Sequence, residues 1–564
     1  MSILRIVEGE MTNTSTGKMD LRTTDGDYTI HAMGKNRWNG GKEGIFEKDY
    51  EPLHPEDSLN NTINVSLNIF FDGTQNNKTN TDAKKTDSKD HDVYLKVGNK
   101  EDDSFENDYT NVARGYDAID SSVDFQKRLY IEGIGTEDLE SDDVFPDVAI
   151  GMGYRGVVAK VVKACVKAPE ALSPYRGKEI DVLKLNVYGF SRGATAARHF
   201  LHIANSPAVI YSQLPDNQVQ VLAPGSYQGM EEKYNILTIP NHPLLHQHGF
   251  FAACLLNNDF NVKKIEINFV GLYDTVASYG LYHGNDSIDL HLDAVKKARF
   301  VLQLSSDDEY RENFDLINIE SAGLHGLELT LPGVHSDIGG SYINNAKEVS
   351  ALYYKRESLY NKMIYHSDQE VEKLKKIVIS EGWYKKHQIE AGVLHKSAID
   401  DKIKKGSVED LERFYAVVGT RNLYNTYDQI PLHLMFHFSK DAKVEYDTNY
   451  INQNHSIKDE FIKSVNNSLN NYVNACNDLR NSYVEMYNGD LYDKNSINEE
   501  YLSKLKRKSY LNYIDEEILK KLRNQYLHWS VKANELGLGS RESQAPAKDG
   551  AYEGRCRKRE IHNG

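Results

Sequence analysis

The sequence contains few cysteines, no long apolar run and no basic excess. Only four cysteines occur among 564 residues and none forms a C-x-x-C pair, which excludes a disulfide framework and indicates synthesis in a reducing compartment. The N-terminus, MSILRIVEGEMTN, carries charges where a signal peptide needs an apolar segment, and no apolar stretch is long enough to span a membrane. We therefore expect a soluble protein, cytoplasmic in the cell that makes it, with no Sec signal.

The charge balance of the chain is acidic. Lys and Arg total 67 and Asp and Glu total 83, giving a formal net charge of -16. This charge disfavours long-range attraction to nucleic acid or to an anionic membrane. We therefore predict no nucleic-acid partner, and we interpret the basic run from Arg555 to Arg559 as a short, solvated stretch of charge.

Composition divides the chain into three regions. Residues 1–60 are rich in Gly, Thr, Asp and Asn, include the possible hairpin TTDGDYTIHAMG, and are predicted to form an arm or adaptor. Residues 61–440 alternate apolar runs such as TINVSLNIFF and DVLKLNVYGF with helix-like segments such as GVVAKVVKACVKA. This order is typical of an α/β domain with a mainly parallel sheet. Residues 441–564 are predicted to form a helical C-terminal region and a polar tail.

Two segments of the central region have the composition of insertions. Residues 205–260 are rich in loops and prolines, and residues 345–425 are charged and are predicted to be largely helical. An amphipathic stripe of apolar residues lies further along the chain, at 461–479. Residues 345–425 and this stripe are also candidates for a mobile cover over a lipid site. Ordinary packing against the core is the alternative for both.

A serine between two glycines is the first candidate for chemistry. Ser191 lies between Gly189 and Gly193 in VYGFSRGATAARHF, after a predicted strand and before a predicted helix. A nucleophile elbow needs such small neighbours because the strand turns sharply into the helix. The alternative is that Ser191 only caps the helix.

A hydrolase serine also needs a histidine and a carboxylate. Asp274 ends a β-rich run, and His335 lies in the turn-rich PGVHSDIGG, so both follow the serine in the order Ser, Asp, His. Asp337 competes with Asp274 as the acid, but its place in a tight turn favours a role in ordering the glycine loop. For the oxyanion we choose the N–H groups of Arg192 and of Gly73, although the turn at Gly73 is equally typical of an Asx turn.

Several ordered motifs resemble a known family. GFSRGA, FFDGTQNN, GLYDTVAS and PGVHSDIGG resemble the type VI secretion lipase effectors of the first Tle family, as do NDYTNVARGYDAI, EGIGT and DQIPLHLM, over about 62–440. Glu132 stands where a proline is expected, and Ser341 where a further glycine is usual. The resemblance implies an α/β-hydrolase with Ser191 as nucleophile, Asp274 as orienting acid and His335 as general base.

The same resemblance implies a function and partners. It implies an antibacterial phospholipase of A1 or A2 type, carried by a VgrG spike protein, blocked by an immunity protein, and acting on phospholipid membrane from the periplasm of the target cell. The residues themselves indicate only acyl transfer, so a carboxylesterase or peptidase using the same triad is one alternative. A noncatalytic docking module of a secretion apparatus is another.

Two further motifs could indicate a cofactor or a metal. The stretch from Gly151 to Gly156 reads GxGxxG, but the strand before it is poor. His242, His246 and His248 cluster, but Pro243 interrupts any helical spacing. We predict neither a cofactor nor a metal ion.

Overall fold

The structure is a computed structural model that describes most of the chain after residue 61. The described residues are 62–98, 103–142, 155–225, 236–277, 290–356, 368–398, 403–407, 410, 413–487, 494–531 and 559–564. They belong to one compact unit, Asn61–Gly564. The predicted arm at 1–60, with its possible hairpin, lies outside these residues, as do four residues of the GxGxxG stretch and all of the basic run except Arg559.

Strands occur along the whole described chain. They are β1 (Thr62–Phe71), β2 (Gln126–Ile131), β3 (Glu179–Phe190), β4 (Val209–Leu214), β5 (Gln218–Leu222), β6 (Ile236–Pro240), β7 (Asn261–Tyr273), β8 (Phe300–Ser306), β9 (Leu316–Ile317), β10 (Gly326–Leu331), β11 (Ala346–Arg356), β12 (Ile389–His395), β13 (Arg413–Leu423) and β14 (Ile561–His562). Six of them form the central sheet, in the order β10-β8-β7-β3-β1-β2. Every pairing in this sheet is parallel.

Helices cover both faces of the central sheet. They are α1 (Lys78–Ala83), α2 (His91–Val97), α3 (Asp103–Glu106), α4 (Asn111–Ala118), α5 (Val157–Ala171), α6 (Arg192–Ile203), α7 (Leu245–Leu256), α8 (His335–Gly339), α9 (Asp368–Ser380), α10 (Gln429–Asp441), α11 (Thr448–Asn454), α12 (Glu460–Tyr487), α13 (Lys494–Leu505) and α14 (Glu516–Gln525). One apolar core contains side chains of α5, α6 and α7. The other contains side chains of α10, α12 and α14. The architecture is therefore α/β with a parallel sheet and a helical C-terminal region, as the sequence predicts.

Individual elements agree closely with the sequence where apolar runs are long. The run TINVSLNIFF is β1, and DVLKLNVYGF and KKIEINFVGLY lie in β3 and β7. Such strands read as continuous apolar runs because both of their faces are covered by helices. β8 is not among the predicted strands, although it lies between β7 and β10 in the sheet.

The two predicted insertions have different structures. Within 205–260, β4, β5 and β6 form an antiparallel sheet that precedes α7. The expectation that 345–425 is largely helical is wrong, because β11, β12 and β13 form a second antiparallel sheet there. Runs such as RFYAVVG in β13 are rich in aromatic and β-branched residues, which favour strands. The helix predicted in this region is present as α9, with Leu374 and Val378 buried.

The amphipathic stripe at 461–479 lies in α12. Its apolar side chains, including Val465, Leu469 and Cys476, are buried in the same core as Leu329 of β10. This burial is the ordinary packing against the core that is the alternative to a mobile cover over a lipid site. No helix among the described residues is long and apolar enough to cross a membrane.

Three asparagines cross the middle of the sheet in a hydrogen-bonded row. Asn186 of β3 donates to Asn68 of β1 over 3.0 Å and accepts from Asn268 of β7 over 3.0 Å. The row ends on backbone carbonyls, because Asn68 donates to Lys127 and Asn268 to Ala442. All three side chains are buried. Because a buried amide needs its partners, the row favours one register of the three strands.

Replacing the central amide of this row should destabilise the fold. We expect Asn186→Ala to reduce the free energy of unfolding by about 2–3 kcal/mol, because it leaves Oδ1 of Asn68 without its donor and one N–H of Asn268 without its acceptor. Denaturation by urea, followed by circular dichroism, measures the change. Asn467→Ala, on an exposed position of α12, is the matched control and should change stability by less than about 0.5 kcal/mol. Equal midpoints for the two variants would contradict the role of the row.

Candidate functional site

Ser191 lies at the turn between β3 and α6. Its backbone has φ 58° and ψ -129°, which is rare for a residue with a side chain. A Cβ at Gly189 would lie 2.5 Å from the Cα of Ala194, and one at Gly193 would lie 2.2 Å from the carbonyl oxygen of Asp72. Both glycines are therefore required by close backbone approaches, and the turn has the shape of a nucleophile elbow.

The hydrogen bonds of Ser191 tie this turn to the neighbouring strand. Its N–H donates to the carbonyl of Tyr273 over 3.0 Å, so the serine lies beside the end of β7, where Asp274 follows. The Ser191 side chain makes no capping hydrogen bond to α6, so the alternative that it only caps this helix is wrong. Ser191 is only 5% exposed.

Asp274 and His335 form a direct hydrogen bond. The distance from Asp274 Oδ2 to His335 Nδ1 is 2.5 Å, and both residues are buried. Ser306, at the end of β8, also donates to this carboxylate from its N–H over 2.9 Å and from its hydroxyl over 3.0 Å. Burial alone would raise the pKa of Asp274, but the charges and hydrogen bonds of Arg559 and His335 lower the pKa well below its ordinary value. Asp274 is therefore an anion.

The imidazole of His335 is held between two aromatic rings. Its centroid lies 4.6 Å from that of Phe190 and 5.1 Å from that of Phe314. Burial lowers the pKa of His335, and the positive charge of Arg311 acts in the same direction, against the raising effect of Asp274. The ring is thus neutral near pH 7, with the Nδ1 proton directed at Asp274. Nε2 is buried and has no hydrogen-bond partner among the described residues, so it is available as a base.

Asp337, the competing acid, has other partners. Its carboxylate accepts from the N–H of Val334 over 2.9 Å and from Nδ1 of His528 over 2.7 Å. The N–H of His528 also donates to it, over 3.0 Å. Asp337 therefore orders the loop that presents His335 and joins this loop to the C-terminal region. The sequence-based choice of a loop-ordering role for Asp337 is confirmed.

The turn after β1 lies against the start of α6. Arg192 is the first residue of that helix, and its Nε donates to the hydroxyl of Thr74 over 2.8 Å. The N–H of Gly73, however, donates to the side chain of Asp72 over 2.7 Å. An Asx turn would bond the side chain of Asp72 to the N–H two residues on, so this bond to the next residue is a shorter contact within the turn. The N–H of Gly73 is thus engaged by the side chain of Asp72 in this conformation.

Asp72 is the buried centre of that turn. The hydroxyl groups of Tyr130 and Thr110 donate to its carboxylate over 2.6 Å and 2.7 Å. Burial raises the pKa of Asp72 to about 6, against these hydrogen bonds. Buried hydrogen bonds, and not contacts with solvent, therefore hold this turn in place beside Ser191.

Two residues that contact Asp274 are absent from the sequence-based site. Ser306 ends β8, a strand that is not among those predicted from the sequence. Its position at the carboxyl end of a parallel strand is the signal that could have indicated it. Arg559 is the second, and its interpretation as part of a solvated basic run is wrong. Its side chain is 6% exposed and donates to Asp274. No local sequence pattern indicates a partner so far away in the chain.

Candidate ligands for a metal are few in the described part of the chain. His248 is buried and its Nδ1 contacts the carbonyl of Ala204, while α7 is kinked at His248, so His242, His246 and His248 do not converge. The group that could offer three ligand atoms is Asp315, Glu560 and His562. His562 Nε2 is already 3.1 Å from Asp315 Oδ2, so a hydrogen bond accounts for this approach.

The loop after α8 contains a strained serine. Ser341 has φ 100° and is buried, and its carbonyl accepts from the N–H of Asp108 over 2.9 Å. Glycine adopts such a φ without the steric penalty that a Cβ imposes. This is the position where the resembling family usually has glycine.

Ser341→Gly should therefore stabilise the protein. We expect an increase of about 1 kcal/mol in the free energy of unfolding, since relief of strain exceeds the added entropy of the unfolded chain. Urea midpoints measure it. Ser380→Gly, at the exposed end of α9, is the control and should lower stability, because no strain is present there to relieve. A loss of stability in Ser341→Gly would show that the strain is not significant.

Comparisons with known proteins identify one family and two similar structures. A solved structure of the Tle1 effector bound to the VgrG spike from the type 6 secretion system is 20% identical, with a TM-score of 0.47, covering 84% of this chain and 85% of that chain. An uncharacterized protein from Pseudomonas aeruginosa is 19% identical, with a TM-score of 0.27, covering 50% of this chain and 42% of that one. No curated protein matches the sequence significantly. Residues 66–362, more than half of the 564-residue chain, match the family described as T6SS, phospholipase effector Tle1-like, catalytic domain. The chain therefore belongs to the Tle1-like family of type VI secretion phospholipase effectors.

Proposed function

We propose that this effector is a serine esterase that hydrolyses acyl esters of glycerophospholipids, with Ser191 as nucleophile, His335 as general base and Asp274 as orienting acid. The observation that carries the proposal is the 2.5 Å hydrogen bond between Asp274 and His335, formed next to a serine in a strained elbow. All three groups follow the carboxyl ends of strands of one parallel sheet, where open α/β sheets place their sites.

The reaction proceeds through an acyl-enzyme. Ser191 Oγ attacks the ester carbonyl carbon while His335 Nε2 takes the hydroxyl proton, and Asp274 stabilises the imidazolium that forms. The tetrahedral intermediate collapses, the C–O bond to glycerol breaks, and His335 returns its proton to the leaving oxygen of the lysophospholipid. Water then attacks the acyl-serine by the same proton transfers and releases the fatty acid and free Ser191.

Two backbone N–H groups would stabilise the oxyanion. The N–H of Arg192, directly after the nucleophile, is the first. As the second donor we propose the N–H of Thr74 instead of that of Gly73. The N–H of Gly73 is bound to Asp72, whereas Thr74 is held beside the start of α6 by the side chain of Arg192. A donor that is fixed before the substrate arrives stabilises developing charge without reorganisation.

Ser191 should be essential for lipid cleavage. We expect Ser191→Ala to reduce fatty-acid release from phosphatidylethanolamine and phosphatidylglycerol vesicles by at least about 10⁴-fold, since the covalent route is lost. Mass spectrometry of the lysophospholipid assigns the A1 or A2 position. Full activity in this variant would reject the proposal. Higher activity on soluble short-chain esters than on vesicles would instead favour a carboxylesterase.

A fluorophosphonate probe tests the reactivity of Ser191 without any lipid substrate. The probe should label the wild-type chain and not Ser191→Ala. Ser380→Ala removes an exposed serine at the end of α9 and is the matched control, which should be labelled like the wild type. A wild-type chain that is not labelled at all would support the noncatalytic docking module.

Family membership also supports a route of delivery. We propose that a VgrG spike protein carries this chain, that it acts in the periplasm of the target cell, and that an immunity protein protects cells that own it. The C-terminal region is a poor candidate for a detachable adaptor, because α12 and α14 contribute to the core and Arg559 contacts Asp274. Residues 1–60 precede the compact unit and are the better candidate.

A pull-down with purified spike protein tests this assignment. We expect the full chain to bind and a chain of residues 61–564 to lose binding at least about tenfold while keeping esterase activity, because the compact unit is retained. Equal affinity of both chains would place the interface on the hydrolase unit. The Ser191→Ala chain is the control and should bind like the wild type.

A further inference from the structure

The last six residues of the chain return to the candidate site. β14 pairs in parallel with β9, with Ile561 opposite Leu316 and His562 opposite Ile317. The N–H of Leu316 donates to Glu560 over 3.0 Å, and that of Asn318 donates to His562 over 2.9 Å. These bonds hold residues 559–564, which we call the C-terminal strap, against the segment that follows β8.

The strap brings a buried cation to Asp274. Arg559 Nη1 lies 2.5 Å from Asp274 Oδ1 and 3.0 Å from the hydroxyl of Ser306. Arg559 Nε donates to the carbonyl of Phe314 over 2.6 Å. The ring of Phe314 is one of the two that hold His335. Arg559 therefore touches the acid directly and reaches the base only through the backbone of its aromatic neighbour.

The carboxylate of Asp274 is thus divided between two partners. Oδ2 faces His335 and Oδ1 faces Arg559. A buried carboxylate with a permanent cation on one oxygen does not depend on a protonated histidine for its counter-charge. Without that cation, only a protonated His335 could neutralise the negative charge of Asp274 by direct contact. His335 would therefore retain its proton to higher pH.

We propose that Arg559 is a positioning residue of the catalytic site: it supplies the fixed counter-charge of Asp274 and so keeps His335 unprotonated and able to act as a base. The strap is then a functional part of the site, contributed by the far end of the chain. This inference rests on the proposed triad. It adds that the activity requires residues 559–564 to be docked on β9.

Other charged groups near His335 do not duplicate this role. Glu309 accepts from the N–H of His335 over 3.2 Å and is itself paired with Arg311, whose guanidinium lies 3.4 Å from the ring centroid of Phe314. Asp337 is paired with His528. Glu309 and Arg311 therefore largely balance each other, and Arg559 is the described arginine in direct contact with Asp274.

The pH dependence of serine labelling tests the proposal without any lipid. A histidine must be neutral to act as a base. The rate at which fluorophosphonate labels the full-length wild-type chain should therefore decrease as the pH is lowered through the pKa of His335. We call this part of the pH profile the acid limb. Removing the counter-charge raises that pKa. In Arg559→Gln we expect this acid limb to move upward by about one pH unit, with the rate at high pH within a few-fold of wild type.

Further variants distinguish the effect of the positive charge of Arg559 from the effect of its packing. Arg559→Lys keeps the cation and should titrate like the wild type, as should Arg507→Gln, which removes an exposed arginine. Guanidinium ion at tens of millimolar should return the limb of Arg559→Ala to its wild-type position. If Arg559→Gln does not fold, Arg559→Ala prepared with guanidinium takes its place, and removal of the ion should shift the limb.

Two outcomes overturn different claims. The proposed role of Arg559 is rejected if the acid limb stays at its wild-type pH in a folded Arg559→Gln variant, or in Arg559→Ala after guanidinium is removed. This outcome leaves the proposed triad intact. Labelling that persists in Ser191→Ala rejects the proposed function itself, and the inference falls with it. A rate that is lower in Arg559→Gln by the same factor at every pH shows a structural contact only and also rejects the proposal.

Discussion

The buried carboxylate of Asp274 is the constraint on which the site depends. It receives hydrogen bonds from His335, from both donors of Ser306 and from Arg559. An ionised carboxylate without such partners could not be buried, because its desolvation would exceed the stability of a domain. Three separate segments must therefore converge on the end of β7 before the charge is tolerated, which couples the geometry of the site to completion of the fold.

The parallel sheet provides the place for this convergence. β1, β3, β7, β8 and β10 end at one edge, so the turn at Asp72, the elbow at Ser191, Asp274, Ser306 and the loop of His335 become neighbours although they are far apart in sequence. The asparagine row in the middle of the sheet favours the same register of β1, β3 and β7. Interior polar contacts thus determine where the strand ends lie.

The C-terminal region completes the site instead of forming a separate module. Side chains of α12 lie in a core shared with the central sheet, and His528 binds Asp337, which orders the loop before His335. Arg559 then joins the end of the chain to Asp274. A hydrolase unit ending near residue 440 would lack both contacts, so the polar environment of Asp274 and His335 depends on residues that follow it.

The sequence by itself determined the main elements and the candidate site residues. Long apolar runs identified β1, β3 and β7 because strands covered on both faces contain few polar residues, and the flanking glycines identified the turn at Ser191 because only small residues allow its backbone approaches. Local patterns did not reveal β8, the strands within 345–425 or the engaged N–H of Gly73, since these depend on neighbours distant in sequence. Only the tertiary structure decided that Arg559 is buried against Asp274: a charged residue has no local property that states whether its partner is water or a carboxylate elsewhere in the fold.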